Sequence, residues 1–124
     1  TLVTAETDNT DFVGLGNTDA TADIHAVTGK NAAAGEIADI ANRSGYTATD
    51  TGSDWAADTF VTLRWEADGV SSVRFYVDGV LKATHTTDIC DDVTLTPTII
   101  VKVNAAATGA ESMNMDYIYI AQER

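Results

Sequence analysis

Two carboxylates stand two positions apart in the run "EADGVS", Glu66 and Asp68. On an extended strand such residues project to one side. That is a starting geometry for hydrolysis of a glycosidic bond by paired acids. Asp68 precedes Gly69, however, and an Asp-Gly pair is a turn signal that accounts for the acid without catalysis. The two histidines, His25 and His85, each lie within a strand-like run, and neither falls in a Ser-His-Asp or metal-ligand spacing. We read both as surface or packing residues. The clusters "DTGSD" (Asp50 to Asp54) and "DICDD" (Asp88 to Asp92) offer oxygen ligands for calcium. They lack the full spacing of a calcium loop, so solvated acidic turns are the preferred reading and no metal or other cofactor is expected. Tyr46 and Trp55 flank the polar stretch "TATDTGSD", read as a loop, and are the candidate carbohydrate-binding residues, with Asn42 and Asp50 nearby in sequence. The competing reading has Trp55 plugging one end of the core.

These residues need elements to position them, and the clearest is the hairpin in "VRFYVDGVLKATH", Val73 to His85. Two runs rich in β-branched and aromatic residues meet at Asp78-Gly79, the dipeptide that most readily takes φ > 0 at both centres of a tight turn. A two-residue turn pairs Val77 with Val80, Tyr76 with Leu81, Phe75 with Lys82 and Arg74 with Ala83, which mixes apolar and polar side chains on each face. Before it, "FVTLRWEA" alternates, with Val61, Leu63, Trp65 and Ala67 on one face and Thr62, Arg64 and Glu66 on the other. Glu66 is therefore expected to point to solvent or to pair with a neighbouring strand.

The rest of the chain reads as short strands joined by turns: "LVTA", "FVGLG" and "IHAV", then a strand over Glu36 to Asn42. The last of these lies in "NAAAGEIADIAN", where Gly35 interrupts what its alanines favour as helix. Pro97 opens "TIIVKV", where a missing donor does little harm, and "MNMDYIYIAQ" closes the domain. In that last strand Met113 and Met115 share one parity and Ile118 and Ile120 the other. A β-bulge near Asp116-Tyr117 would reconcile them, and so would burial of both faces. About ten short strands and no long helix imply an all-β, antiparallel β-sandwich or jelly roll.

Composition limits the partners. The chain has 124 residues, one domain's worth, and carries 19 acidic against 7 basic residues for a net charge of −12. With no Lys/Arg cluster, neither nucleic acid nor an anionic membrane surface is an expected partner. The single cysteine, Cys90, excludes an internal disulfide and reads as a small buried hydrophobe. No run approaches the ~20 apolar residues of a membrane helix, and a soluble protein is expected. The chain opens at Thr1, without Met and directly in a strand-like pattern, so we expect a processed chain or one lacking N-terminal residues of a longer protein.

The succession "FVTLRWEADG", "VRFYVDGVLKATH", "LTPTIIV" and "MNMDYIYIAQER" resembles the C-terminal half of concanavalin A-like lectin/glucanase jelly rolls, with "DFVGLG" a fainter match in the first half. Its wording, with "LTP" before the penultimate strand, is similar to structural proteins of tailed bacteriophages carrying that fold. The resemblance implies a single jelly-roll domain over residues 1–124. Glucanases of the superfamily use a Glu-x-Asp-x-x-Glu strand. Here Ser71 stands where the last acid belongs, so the resemblance does not carry catalysis over and no enzymatic activity is expected. The implied role is a virion structural protein, a capsid decoration or cement subunit on the outer surface of a tailed-phage shell, assembled in the host cytoplasm. Its expected partners are copies of itself, with a trimer preferred, and the major capsid protein or other virion proteins. The alternative is a lectin-like module of a fibre or secreted protein that recognises surface glycans through Tyr46 and Trp55.

Overall fold

The computed structural model describes residues 2–5, 12–17, 23–29, 45–56, 58–89, 97–99 and 113–123. Within them the chain is all-β, with eight strands and no helix. The strand expected over Glu36 to Asn42 lies outside the described residues, as do Asn42, Cys90, Asp91 and Asp92.

Two antiparallel sheets form. In the first, β1 (Leu2–Ala5), β2 (Phe12–Asn17), β3 (Asp23–Gly29) and β4 (Tyr46–Asp54) follow one another as a meander, and β8 (Pro97–Ile99) returns to pair with β1, giving the order β4-β3-β2-β1-β8. In the second, β5 (Leu63–Asp68), β6 (Ser72–Val77) and β7 (Val80–His85) make a three-stranded meander. Pro97 begins an outermost strand, where its missing N–H removes no ladder bond that matters.

The sheets lie face to face, with β7 against β3 and β4, and β5 and β6 against β2. One core joins them. Leu15, Ile24 and Ala26 come from the five-stranded sheet and Val73, Phe75, Val77 and Ala83 from the other, with Ile89 closing the cluster. Trp55, Val61, Leu63 and Trp65 pack against it while remaining partly exposed, as the alternation of "VTLRWEA" implies for the last three. Ala67, expected on that face, is exposed, and strand pairing starts at Leu63 and not at Phe60.

The hairpin turns at Asp78-Gly79 with φ of 50° and 77°, both positive as a tight primed turn requires. Asp78 also fixes the approach to β5. Its Oδ1 accepts the Thr62 N–H at 2.8 Å, and its own N–H donates to the Thr62 carbonyl at 2.9 Å. The register departs from the one expected. Val77↔Val80 and Tyr76↔Leu81 hold, but the ladder then shifts, so that Phe75 faces Ala83, Arg74 faces Thr84 and Val73 faces His85. The extra residue on β7 is Lys82. Without that bulge a lysine would stand opposite a fully buried phenylalanine. The shift brings Ala83 and His85 inward instead and leaves the inner face without a charged lysine.

Two other expectations are corrected. The stretch "TATDTGSD" is not a loop. It lies within strand β4, because threonines at alternate positions suit a pleated surface, and the pairing with β3 shifts between Asp23 and His25, where Thr51 to Ser53 stand opposite Ile24. Residues 113–123 do not form a closing strand, so no bulge arises at Asp116-Tyr117. Met115, Tyr117, Ile118, Tyr119 and Ile120 are all exposed.

Candidate functional site

Four places on the molecule could carry chemistry or recognition. The first is the outer face of the three-stranded sheet. Glu66 lies there opposite Arg74, and Arg64 opposite Tyr76, because the pleat that turns Trp65 inward turns its neighbours outward. Glu66 Oε1 meets Arg64 Nη1 at 3.0 Å, Oε2 lies 3.8 Å from Arg74 Nε, and the Tyr76 hydroxyl donates to Oε2 at 3.0 Å. The Arg64 guanidinium also sits 3.9 Å above the Tyr76 ring. This carboxylate is held by three partners on an open, solvated face. Asp68 begins a turn, its main-chain carbonyl accepting the Ser71 N–H at 2.9 Å.

The second place is the expected aromatic platform. Tyr46 opens β4 and Trp55 follows its last residue, so the two stand at opposite ends of one strand, roughly 30 Å apart at a strand's rise per residue. They also take opposite sides. Trp55 packs on the core, whereas Tyr46 shares the parity of Ala48 and Asp50 on the outer side. The structure does not bring the pair together. Trp55 at the end of the core matches the plug reading.

The acid clusters are the third. Asp50 Oδ1 accepts the Gly52 N–H at 2.8 Å, a local bond that steadies the backbone at Gly52, where φ is +62°. Asp88 Oδ2 accepts the Thr47 hydroxyl at 2.6 Å. Among the described residues no group of three or more His, Cys, Asp or Glu is placed to hold a metal ion.

The fourth is a polar cluster between the sheets that sequence reading missed. His85, 4% exposed, reaches from β7 toward the inner face of the five-stranded sheet. Its Nδ1 lies 3.0 Å from the hydroxyl of fully buried Thr28, and its Nε2 2.9 Å from the hydroxyl of Thr49. The Thr28 hydroxyl donates to the Thr87 carbonyl at 3.3 Å, so it receives the Nδ1–H of His85. Nε2 then carries no hydrogen and accepts from Thr49. The network thus assigns a neutral imidazole protonated at Nδ1. Burial pushes His85 below its ordinary pKa of 6.5, and Asp88 opposes that in part. Thr47 continues the row, 3.2 Å from the Thr87 hydroxyl, and Thr51 donates to the Ile24 carbonyl at 2.7 Å. Phe75 flanks the imidazole with ring centres 5.0 Å apart. The signal lay in the threonines at 47, 49 and 51, whose spacing of two marks one face of a strand. With both ring nitrogens bonded to threonine hydroxyls and little of the ring exposed, this histidine serves as a structural hydrogen-bonding hub.

Large apolar side chains are exposed at Phe60, Val70, Val80 and Leu81, and in sequence succession within residues 113–123. Tyr119 is 82% exposed, and its neighbours Tyr117, Ile118 and Ile120 are exposed as well. Comparison with family models, with curated proteins and with solved structures returns no match.

Proposed function

We propose that the chain is a non-enzymatic assembly module, a jelly-roll subunit that decorates and stabilises the outer shell of a tailed bacteriophage as a symmetric oligomer, with a trimer preferred. The observation that carries the reading is the apolar run at residues 115–120, which lies open to water in a chain of net charge −12. Exposed apolar surface of this kind marks contact with another protein. Two further features support it. Glu66, the best candidate for a catalytic acid, is engaged by Arg64, Arg74 and Tyr76. The acidic balance also disfavours a place against packaged DNA, whose phosphates would repel it. The address on a phage shell comes from the wording of the chain from Phe60 to Arg124.

Cryo-EM of particles with and without the protein, with heat-induced release of DNA measured on both, tests this. The expected result is ordered density on the outside of the shell and earlier DNA release without it. Particles that lack the protein yet keep their assembly and thermal stability while losing adsorption to host cells would replace this reading with recognition of surface glycans.

A further inference from the structure

The three-stranded sheet is narrower than its partner. It covers β2, β3 and β4 from above, with β5 and β6 over β2 and β7 over β3 and β4. Beyond β2 the larger sheet continues into β1 and β8, past the outer edge of β5. Among the described residues β5 pairs only with β6, and the other side of its backbone has no strand partner there. Along that edge Leu63 and Trp65 touch the core and yet stay partly exposed. A strand added beside β5 would complete the row over β1 and cover both. Open edges of this kind are hazardous unless something pairs with them.

The same chain carries a segment fitted to that edge. Asp116 to Ala121 has six residues, as β5 does. Its alternation puts Ile118 and Ile120 on one face and Tyr117 and Tyr119 on the other. With the isoleucines turned inward they meet Leu63 and Trp65. The tyrosines then lie on the outer face beside Arg64, extending the row in which Arg64 already stacks on Tyr76. Among the described residues this segment pairs with no strand, and both of its parities are exposed.

We infer that Asp116 to Ala121 of one copy adds as a fourth strand to the edge of β5 in another copy. Donor and acceptor are different surfaces, so the contact is heterologous, and the closed symmetry proposed above requires that it close as a ring of identical subunits. This names the contact within the proposed assembly, and it rests on that reading only in taking the chain to self-associate.

The test uses the 124-residue chain in solution. Light scattering behind size-exclusion chromatography is expected to give a closed oligomer, a whole multiple of the 13.1 kDa chain mass. Ile118→Pro and, separately, Ile118→Asp should each reduce it to one chain mass while the far-UV spectrum stays that of a folded β protein and unfolding stays cooperative, with a transition that is lower and no longer depends on protein concentration. Contact is read directly in a Cys90→Ser background by mixing chains carrying Arg64→Cys with chains carrying Tyr119→Cys and oxidising mildly. A disulfide-linked species of two chain masses, strong in the mixture and weak in either protein alone, supports strand exchange. A monomeric wild type, an oligomer indifferent to both Ile118 changes, or a cross-link that closes within a single doubly substituted chain overturns it. An exchanged oligomer missing from virions would fail the shell address and leave this contact standing. A monomer found on virions would do the reverse.

Discussion

The inner faces of β6 and β4 lie in the same interior and are built from opposite materials. β6 turns Val73, Phe75 and Val77 inward, and β4 turns Thr47, Thr49 and Thr51 inward. The first face is held by apolar burial, which is non-directional and insensitive to pH. The second is held by hydroxyls that must find partners and do so through His85, Asp88, the Thr87 hydroxyl and the Ile24 carbonyl. Two consequences follow. Loss of volume should damage the β6 side most, and proton binding should damage only the β4 side.

The largest effect is expected at Phe75, fully buried between the sheets. Phe75→Ala removes a ring that packs among the core residues and beside His85, and should cost about 3–5 kcal/mol in urea unfolding. Leu63→Ala, measured in the Ile118→Asp background where the edge of β5 stays uncovered, should cost less, about 1–2 kcal/mol, because within one subunit its side chain is only partly removed from water. In the wild-type background the loss at Leu63 should be larger, because the added strand covers it, and a loss no larger than in the Ile118→Asp background would count against an added strand there.

The same contrast decides what could be read from the sequence. The hairpin was legible because Asp78-Gly79 and its flanks determine a turn locally. Its register was not, because the bulge at Lys82 arises from what the opposite sheet accepts at the position facing Phe75. The alternation of Val61, Leu63 and Trp65 was legible for the same local reason, and so was the outward aim of Glu66. β4 was misread as a loop because Asp, Gly and Ser are turn residues by propensity, and its threonines become strand residues through partners 27 to 41 positions away. Residues 113–123 carry a strand pattern with no strand partner among the described residues, and a pattern cannot say whose edge it will meet. The aromatic pair failed geometrically. Nearness to one polar stretch means nothing once that stretch is extended, since its ends are then as far apart as the chain allows.

Acid separates the two faces. Folding holds His85 below its ordinary pKa of 6.5, so below that value the unfolded chain binds the proton more readily. The contribution of neutral His85 is therefore complete above pH 6.5 and is lost as pH falls toward the lower folded-state value. One proton bounds the slope at about 1.4 kcal/mol per pH unit. His85→Phe replaces the hydrogen-bonding hub and leaves two hydroxyls short of a partner, with an expected cost of about 1–3 kcal/mol at pH 7.5. Unfolding of both proteins at several pH values between 7.5 and 5.5 checks the sign. The difference between them should shrink as pH falls, and a constant difference would mean that His85 takes up its proton equally well in the folded state.

The smallest effect is expected at Glu66, and that smallness is informative. Its carboxylate has three partners, yet it, Arg64 and Arg74 are each some 40–53% exposed, so solvent screens every one of those contacts. Glu66→Gln keeps the acceptor for the Tyr76 hydroxyl and removes only the charge, which should cost about 0.2–1 kcal/mol and fade as salt is raised. A catalytic acid would behave otherwise. It would sit in a cleft, with a second carboxyl group about 5–9 Å away across the scissile bond, and its replacement would abolish turnover with little change in stability. Here the acid that shares its face, Asp68, begins the turn at Gly69 through its main-chain carbonyl, and among the described residues the outer face it lies on is open, with no cleft about it. Incubation with β-glucans, alginate and agar should therefore release no reducing ends from wild type or variant. Turnover by the wild type that vanishes in Glu66→Gln would mean that an acid held by two arginines and a tyrosine is nonetheless the reacting group. It would also move this face of the sheet from a stabilising network to an active site.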